Sequence, residues 1–251
     1  SWRRRHLETR MARLQSPMTS NNTMPDIATS PMPPEPGLAA EPALSPRFAT
    51  KTQTVTVRNL TFQLSMIADL DAALDHYVTT SPTDTDMIPY FSRLWESAKA
   101  LAEYLADHPQ LCLGQDVLEF GCGLGLPSMT AAKLGAHSVT ATDYHPDNEP
   151  YLLRNAALNH ISTITYHRLD WRHPDLTGSF PLAFGSDLIY DKDMVPALVD
   201  CVDRFTAANA TFILADPGRA ALQHTANMLQ ERRFHLDIKA TDTIFLLIFT
   251  R

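Results

Sequence analysis

Residues 117–127 read VLEFGCGLGLP, which sets Glu119 two residues ahead of Gly121, with Gly123 and Gly125 following at steps of two. Three glycines in five positions let the main chain turn sharply and come close to a ligand. A dinucleotide pyrophosphate asks for GxGxxG, but Leu126 stands in the third slot and the spacing here is GxGxG. A pyrophosphate also wants the positive end of a helix with no acid beside it. S-adenosylmethionine (SAM) has no phosphate, and its ammonium and sulfonium groups tolerate an acid such as Glu119. The loop therefore favours SAM over NAD.

Further acids lie where such a site needs them. Asp143 closes the next apolar run, 20 residues past Gly123. An acid there accepts hydrogen bonds from ribose hydroxyls in SAM and NAD sites alike; its plainer role would be the N-cap of a helix starting near Pro146. Asp170 follows a third run, in RLDW. It could take a hydrogen bond from an adenine amino group, with Leu169 or Trp171 against the ring, although core packing suits Trp171 equally. Ser186-Asp187-Leu188-Ile189-Tyr190 ends a fourth run. Methyl transfer needs a nucleophile aligned behind the methyl, and little acid–base machinery. Asp187 could capture and orient an ammonium, and Tyr190 could bond the amine or close the pocket. The alternatives are a cap for the helix near Met194 and simple space filling. Asp216-Pro217-Gly218-Arg219 reads as an ordinary helix start or as the rim of a crevice. Tyr90, Phe91 and Trp95 could wall the methionine end of SAM or pack in the core. The ten histidines show no ligand spacing, and no metal is expected.

The elements that must hold these residues alternate. Strands are expected at 116–120, 138–142, 163–167, 182–187 and 210–215, and helices at 127–134, 147–158, 193–207 and 218–231. This alternation implies a parallel sheet covered on both faces. RFHLDIKA and TIFLLIFTR break the rule, because they are two strands joined by a turn without a helix. An α/β sheet ending in an antiparallel hairpin fits a Rossmann-like, seven-stranded class I methyltransferase better than a dinucleotide-binding domain. Upstream, TQTVTVRNLTFQL reads as one or two strands and SMIADLDAALDHY as partly helical. Leu94, Ala98, Leu101 and Leu105 recur at helical spacing before Pro109.

The chain has 251 residues and a net charge of −7. Residues 1–16 carry five arginines and Glu8, a balance of +4, which leaves −11 for the rest. An acidic body of this kind argues against tracking nucleic acid. No apolar run is long enough for a transmembrane helix, so no membrane span is expected. Residues 1–50 are rich in Pro, Ser and Ala and are expected to form a disordered tail. The folded domain is expected over 51–251, with 51–110 as a β/α extension ahead of the sheet. Cys112, Cys122 and Cys201 show no CxxC spacing and read as small apolar fillers in a reduced compartment. A cytoplasmic location follows, with the mitochondrial matrix as the alternative if the Arg-rich start is a transit segment.

PYFSRLWESAKALAEYL, VLEFGCGLGLP, VTATDYHPD, LLRNAALN, LDW, GSDLIYD and ADPGR occur in this order. Over residues 54–250 the chain resembles the seven-stranded SAM-dependent protein-lysine methyltransferases marked by an Asp-x-x-Tyr motif. It is most similar to the electron-transfer-flavoprotein β-subunit lysine methyltransferase branch, whose bacterial members often carry the label nicotinamide N-methyltransferase. The resemblance implies a SAM cofactor and a lysine-bearing protein substrate. It implies SAM contacts at Trp95, Glu119, Gly121, Gly123, Asp143, Asp170, Trp171 and Ser186, and a substrate-side pair, Asp187 and Tyr190. Phe91 stands where the family usually has Trp, Glu96 where it has Pro, and Ser128 where it has Gly, all expected near the cofactor entrance. A small amine or pyridine substrate, an NAD-dependent oxidoreductase and a non-catalytic SAM-binding module are the competing readings.

Overall fold

A strand covered on two sides must be apolar on both, and alternate side chains must feed separate layers. The computed structural model describes residues 48–80 and 87–251. Five of the apolar runs are parallel strands: β3 (Asp116–Phe120), β4 (Ser138–Asp143), β5 (Ile164–Arg168), β6 (Phe180–Ser186) and β7 (Thr206–Asp216). The C-terminal runs, β8 (His235–Ala240) and β9 (Phe245–Thr250), form the antiparallel hairpin, and β9 pairs with β7. The order is β5-β4-β3-β6-β7-β9-β8. This is the mostly parallel seven-stranded α/β sheet that element order implied.

Side chains alternate between two cores. Val117, Phe184 and Ile213 pack on the side of α2 (Glu96–Asp107), α3 (Leu126–Lys133) and α4 (Asn148–Leu158). Leu118, Ala183 and Phe212 pack on the side of α5 (Val195–Phe205) and α6 (Leu222–Glu231). The chain steps from β3 outward to β4 and β5, then returns to β6 on the other side of β3. A crevice opens at such a reversal, beyond the carboxyl ends of the strands.

Two boundaries differ from the sequence reading by four residues. The helix expected from 218 begins at Leu222, because Asp216 Oδ1 accepts the amides of Gly218 and Arg219 and holds an extra turn with Gly218 at φ 89°. The strand expected from 210 begins at Thr206, across a register shift opposite Phe180–Leu182. The polar TAANA stretch joins the sheet because Arg251 bonds the Thr206 carbonyl and hydroxyl at 2.6 and 2.8 Å. The tail expected over residues 1–50 lies, up to residue 47, outside the described residues. Among the described residues no helix is long and apolar enough to cross a membrane. All three cysteines are buried and unbridged, and burial pushes the Cys112 and Cys201 thiols up to about 12.

Ahead of the sheet, β1 (Thr50–Val57) and β2 (Leu60–Ile67) form a two-stranded hairpin, followed by α1 (Leu70–Thr80). The free edge of β2 is closed by Asn155 of α4 and by Asn159, the C-cap of that helix. Asn159 Oδ1 accepts Gln63 N–H at 2.8 Å and its Nδ2 donates to Gln63 O at 2.8 Å. Asn155 treats Ser65 in the same way at 2.7 and 3.2 Å, and also donates to Leu124 O at 3.1 Å. The match is geometric. Four helical residues rise about 6 Å, close to the span of roughly 6.6 Å for two strand residues. Asn155→Ala would leave buried main-chain groups of Ser65 and Leu124 without partners. It is expected to cost about 2–3 kcal/mol, read as a lower urea midpoint with an unchanged slope.

Candidate active site

The turn after β3 is fixed from below and from the side. Gly121, Gly123 and Gly125 have φ of 62°, 50° and 82°, in the left-handed region that suits glycine. At Gly123 a Cβ would also sit 3.2 Å from the carbonyl oxygen of Phe91. Asp143 Oδ2 accepts Gly123 N–H at 3.0 Å, Asn148 Nδ2 donates to Gly123 O at 2.8 Å, and Cys122 N–H donates to Thr142 O at 2.8 Å. Beneath the loop, Glu119 is wholly buried, and its Oε2 accepts both the Ser128 amide, at 3.0 Å, and the Ser128 hydroxyl. Its Oε1 has no hydrogen-bond partner among the described residues, and burial raises the carboxyl to about 8.

A cavity of about 350 Å³ opens above this loop. Gly121, Gly123, Asp143, Trp95, Trp171, Ser186, Asp187 and Tyr190 all line it. Asp143 ends β4, and its Oδ1 also accepts His145 N–H at 3.2 Å. Its carboxyl is raised by burial against these bonds. It does not cap α4, whose N-cap is Asp147. Asp187 follows β6 with φ 58°, and its Oδ1 meets Arg219 Nη1 at 2.7 Å. It does not cap α5 either, since the turn ahead of that helix is capped by Asp191. Tyr90, Trp95 and Tyr190 ring the mouth. The Tyr90 centroid lies 6.1 Å from Trp95 and 6.2 Å from Tyr190, and the Arg93 guanidinium sits 4.6 Å from the Trp95 ring. Tyr190 is 63% exposed.

Two expected cofactor contacts are not among the residues that line the cavity. Glu119 does not line the cavity. Its carboxyl is spent under the loop on Ser128, so Ser128 is part of the loop's foundation and not of the cofactor entrance. Asp170 does not line the cavity either. Arg172, two residues on, takes it through Nε and Nη2 at 2.8 and 3.0 Å and holds its carboxyl below the usual range. Of the other departures, Phe91 lines the cavity and packs on His145, with ring centroids 4.6 Å apart, while Glu96 is exposed and pairs with Lys99. Tyr144, His145, Arg93 and Asn148 were not singled out as site residues. His145 Nδ1 accepts Asp147 N–H at 3.1 Å, so its Nε2 carries the proton toward Met87 O at 3.1 Å. Burial lowers its basicity, and it serves as a neutral brace. Asn148 was visible only as the second residue after HP in VTATDYHPDN, with no local pattern to mark it.

The seven-stranded sheet with its terminal hairpin, and a glycine loop backed by acids at the strand ends, define the class I methyltransferases. Solved structures share this fold. The Thermus thermophilus 16S rRNA N2 G1207 methyltransferase, in complex with AdoMet and guanosine, aligns with a TM-score of 0.61 at 14% identity, over 80% of this chain and 50% of that one. The magnesium protoporphyrin IX methyltransferase of Synechocystis, with bound SAM, aligns at 0.53 and 16% identity, over 73% and 97%. More specifically, a sequence family described as lysine methyltransferase matches residues 89–231. The chain belongs to this family. The Xenopus laevis electron transfer flavoprotein beta subunit lysine methyltransferase is 33% identical over 137 residues, 53% of this chain and 54% of that protein. The zebrafish (Danio rerio) protein N-lysine methyltransferase METTL21A is 30% identical over 129 residues, 49% and 58%. The chain spans about half the length of the curated relatives it matches.

SAM is the cofactor of this family, and the residues present fit it. A Cβ at Gly123 would crowd the Phe91 carbonyl, the cavity is of ligand size, and Asp143 keeps lone pairs beyond its two amide bonds. Asp143→Ala is expected to raise the SAM dissociation constant at least tenfold by calorimetry, as loss of charge-assisted hydrogen bonds demands. Glu119 provides a pH test. Its folded value lies above its ordinary 4.5, so its contribution to stability is full below that value and is lost as pH rises toward about 8. Glu119→Gln has no proton to lose. The difference in urea midpoint should therefore shift in the variant's favour between pH 5 and pH 8.5. A difference independent of pH would mean that Glu119 is ionised throughout.

Proposed function

We propose that the chain is a SAM-dependent N-methyltransferase that methylates a lysine side chain of a protein. The observation that carries this reading is one cavity with the glycine loop at its base and, at its lip, a half-buried acid, Asp187, beside an exposed ring, Tyr190. The names of the Xenopus and zebrafish relatives support the choice of a protein lysine. Gly121, Gly123, Asp143 and Trp95 would hold SAM, with Trp171 and Ser186 along the wall. When bound, SAM supplies a methyl group on a cationic sulfur that keeps the bonding electron pair as the methyl leaves.

The chain's own residues act on the nucleophile. A lysine amine, with an ordinary pKa of about 10.4, is almost wholly protonated at neutral pH. Removing its proton at pH 7.4 costs about 4 kcal/mol, at 1.36 kcal/mol per unit. The Asp187 carboxylate meets the ammonium, orients its nitrogen and passes the proton on to water. Tyr90, Trp95 and Tyr190 offer the apolar stem of the lysine an aromatic passage and keep bulk water from the reacting nitrogen.

The test uses SAM labelled in its methyl group and a dialysed lysate from the same organism. A discrete labelled protein band is expected. Asp187→Ala should weaken the band at least tenfold while SAM affinity changes less than threefold. Label confined to the small-molecule fraction, once metabolites are restored, would point to a free amine or pyridine instead. Normal turnover in Asp187→Ala would remove Asp187 from the substrate side.

A further inference from the structure

Arg219 has no part in the scheme above, yet it lines the cavity and is held by two carboxylates. Its Nη1 lies 2.7 Å from Asp187 Oδ1 and 2.7 Å from Asp216 Oδ2. Asp216 is wholly buried at the end of β7, and its other oxygen is committed to the amides of Gly218 and Arg219, each at 2.7 Å. The turn that delays α6 thus fixes both the acid and the cation it holds. Asp187 is held as firmly on its own side. Its amide donates to Ala215 O at 3.0 Å, and its side chain is only 11% exposed. One carboxylate oxygen, Oδ1, goes to Arg219, and the other, Oδ2, is enclosed with no hydrogen bond of good geometry among the described residues.

We propose that Arg219 is a positioning residue: anchored by Asp216, it keeps Asp187 an oriented anion, ready to meet the cation of an incoming amine. This deepens the lysine reading and rests on it. The charged groups that face Asp187 are Arg219 and Asp216, and Ser97 of α2 turns a hydroxyl toward it. Burial pushes the Asp187 carboxyl up, and the guanidinium pulls it back. Without Arg219, two enclosed carboxylates would face each other with no cation between them, and one of them would take up a proton. A protonated Asp187 has no charge to offer an ammonium.

The test follows the side-chain carboxyl of Asp187 by carbon NMR in the full chain labelled at aspartate. The signal is assigned by its absence from Asp187→Asn. In Arg219→Gln its titration midpoint should rise by at least one pH unit, a tenfold change in proton affinity. Arg219→Lys keeps the charge but not the planar fork, and should move the midpoint by a smaller amount in the same direction. Methyl transfer to the labelled band should lose activity on the acid side at correspondingly higher pH, with SAM affinity within threefold of the native chain. An unmoved midpoint in Arg219→Gln overturns the proposal, as does a uniform loss of activity with the acid limb in place. Should Arg219→Gln fail to fold, an unmoved midpoint in Arg219→Lys overturns it equally. A native chain that labels no protein would count against the lysine reading alone, since the titration is read without substrate.

Discussion

The hydrogen bond from Gly123 N–H to Asp143 ties the turn after β3 to the end of β4. A loop of alternating glycines has many conformations to lose on folding. This one is confined by an acid from the next strand, by Asn148 at the start of the following helix, and by the Phe91 carbonyl above. The cavity has a defined floor because those three constraints meet at one residue. The same bond sets the direction of Asp143, which lines the cavity.

The site concentrates acids, and each is managed differently. Glu119 sits under the loop, where burial favours its neutral form. Asp143 spreads its charge over two main-chain amides. Asp187 and Asp216 share one guanidinium. A cavity built in this way suits a cofactor and a substrate that both carry positive charge, and it agrees with the acidic body that remains once the Arg-rich start is set aside.

Most of the sheet could be read from the sequence because its signals are local. VLEF followed by GCGLG, or FLLIFT after a short turn, carries its own meaning within ten residues. Asp143 and Asp187 could be read because strand ends in such sheets point to one crevice. What escaped depends on neighbours far away in sequence. LLRNAALN shows two asparagines four apart, but nothing in it says that Ser65 and Gln63 need them. RLDW suggested an adenine contact, and the nearby Arg172 took the acid instead. ADPGR read as a helix start or as a crevice rim; its Asp216 caps a separate turn, and its arginine lines the cavity and reaches across to Asp187.

The asparagine pair has a consequence for how the chain comes together. Ser65 and Asn155 are 90 residues apart, as are few contacts in the fold's local elements. A ribosome releases the β1–β2 hairpin early, while the helix that completes its edge emerges much later. An isolated two-stranded hairpin is marginal in water, and long-range closure is slow. An element made early in synthesis is therefore among the last of the described residues to settle, and in the meantime its open strand edge is exposed to pairing with other chains.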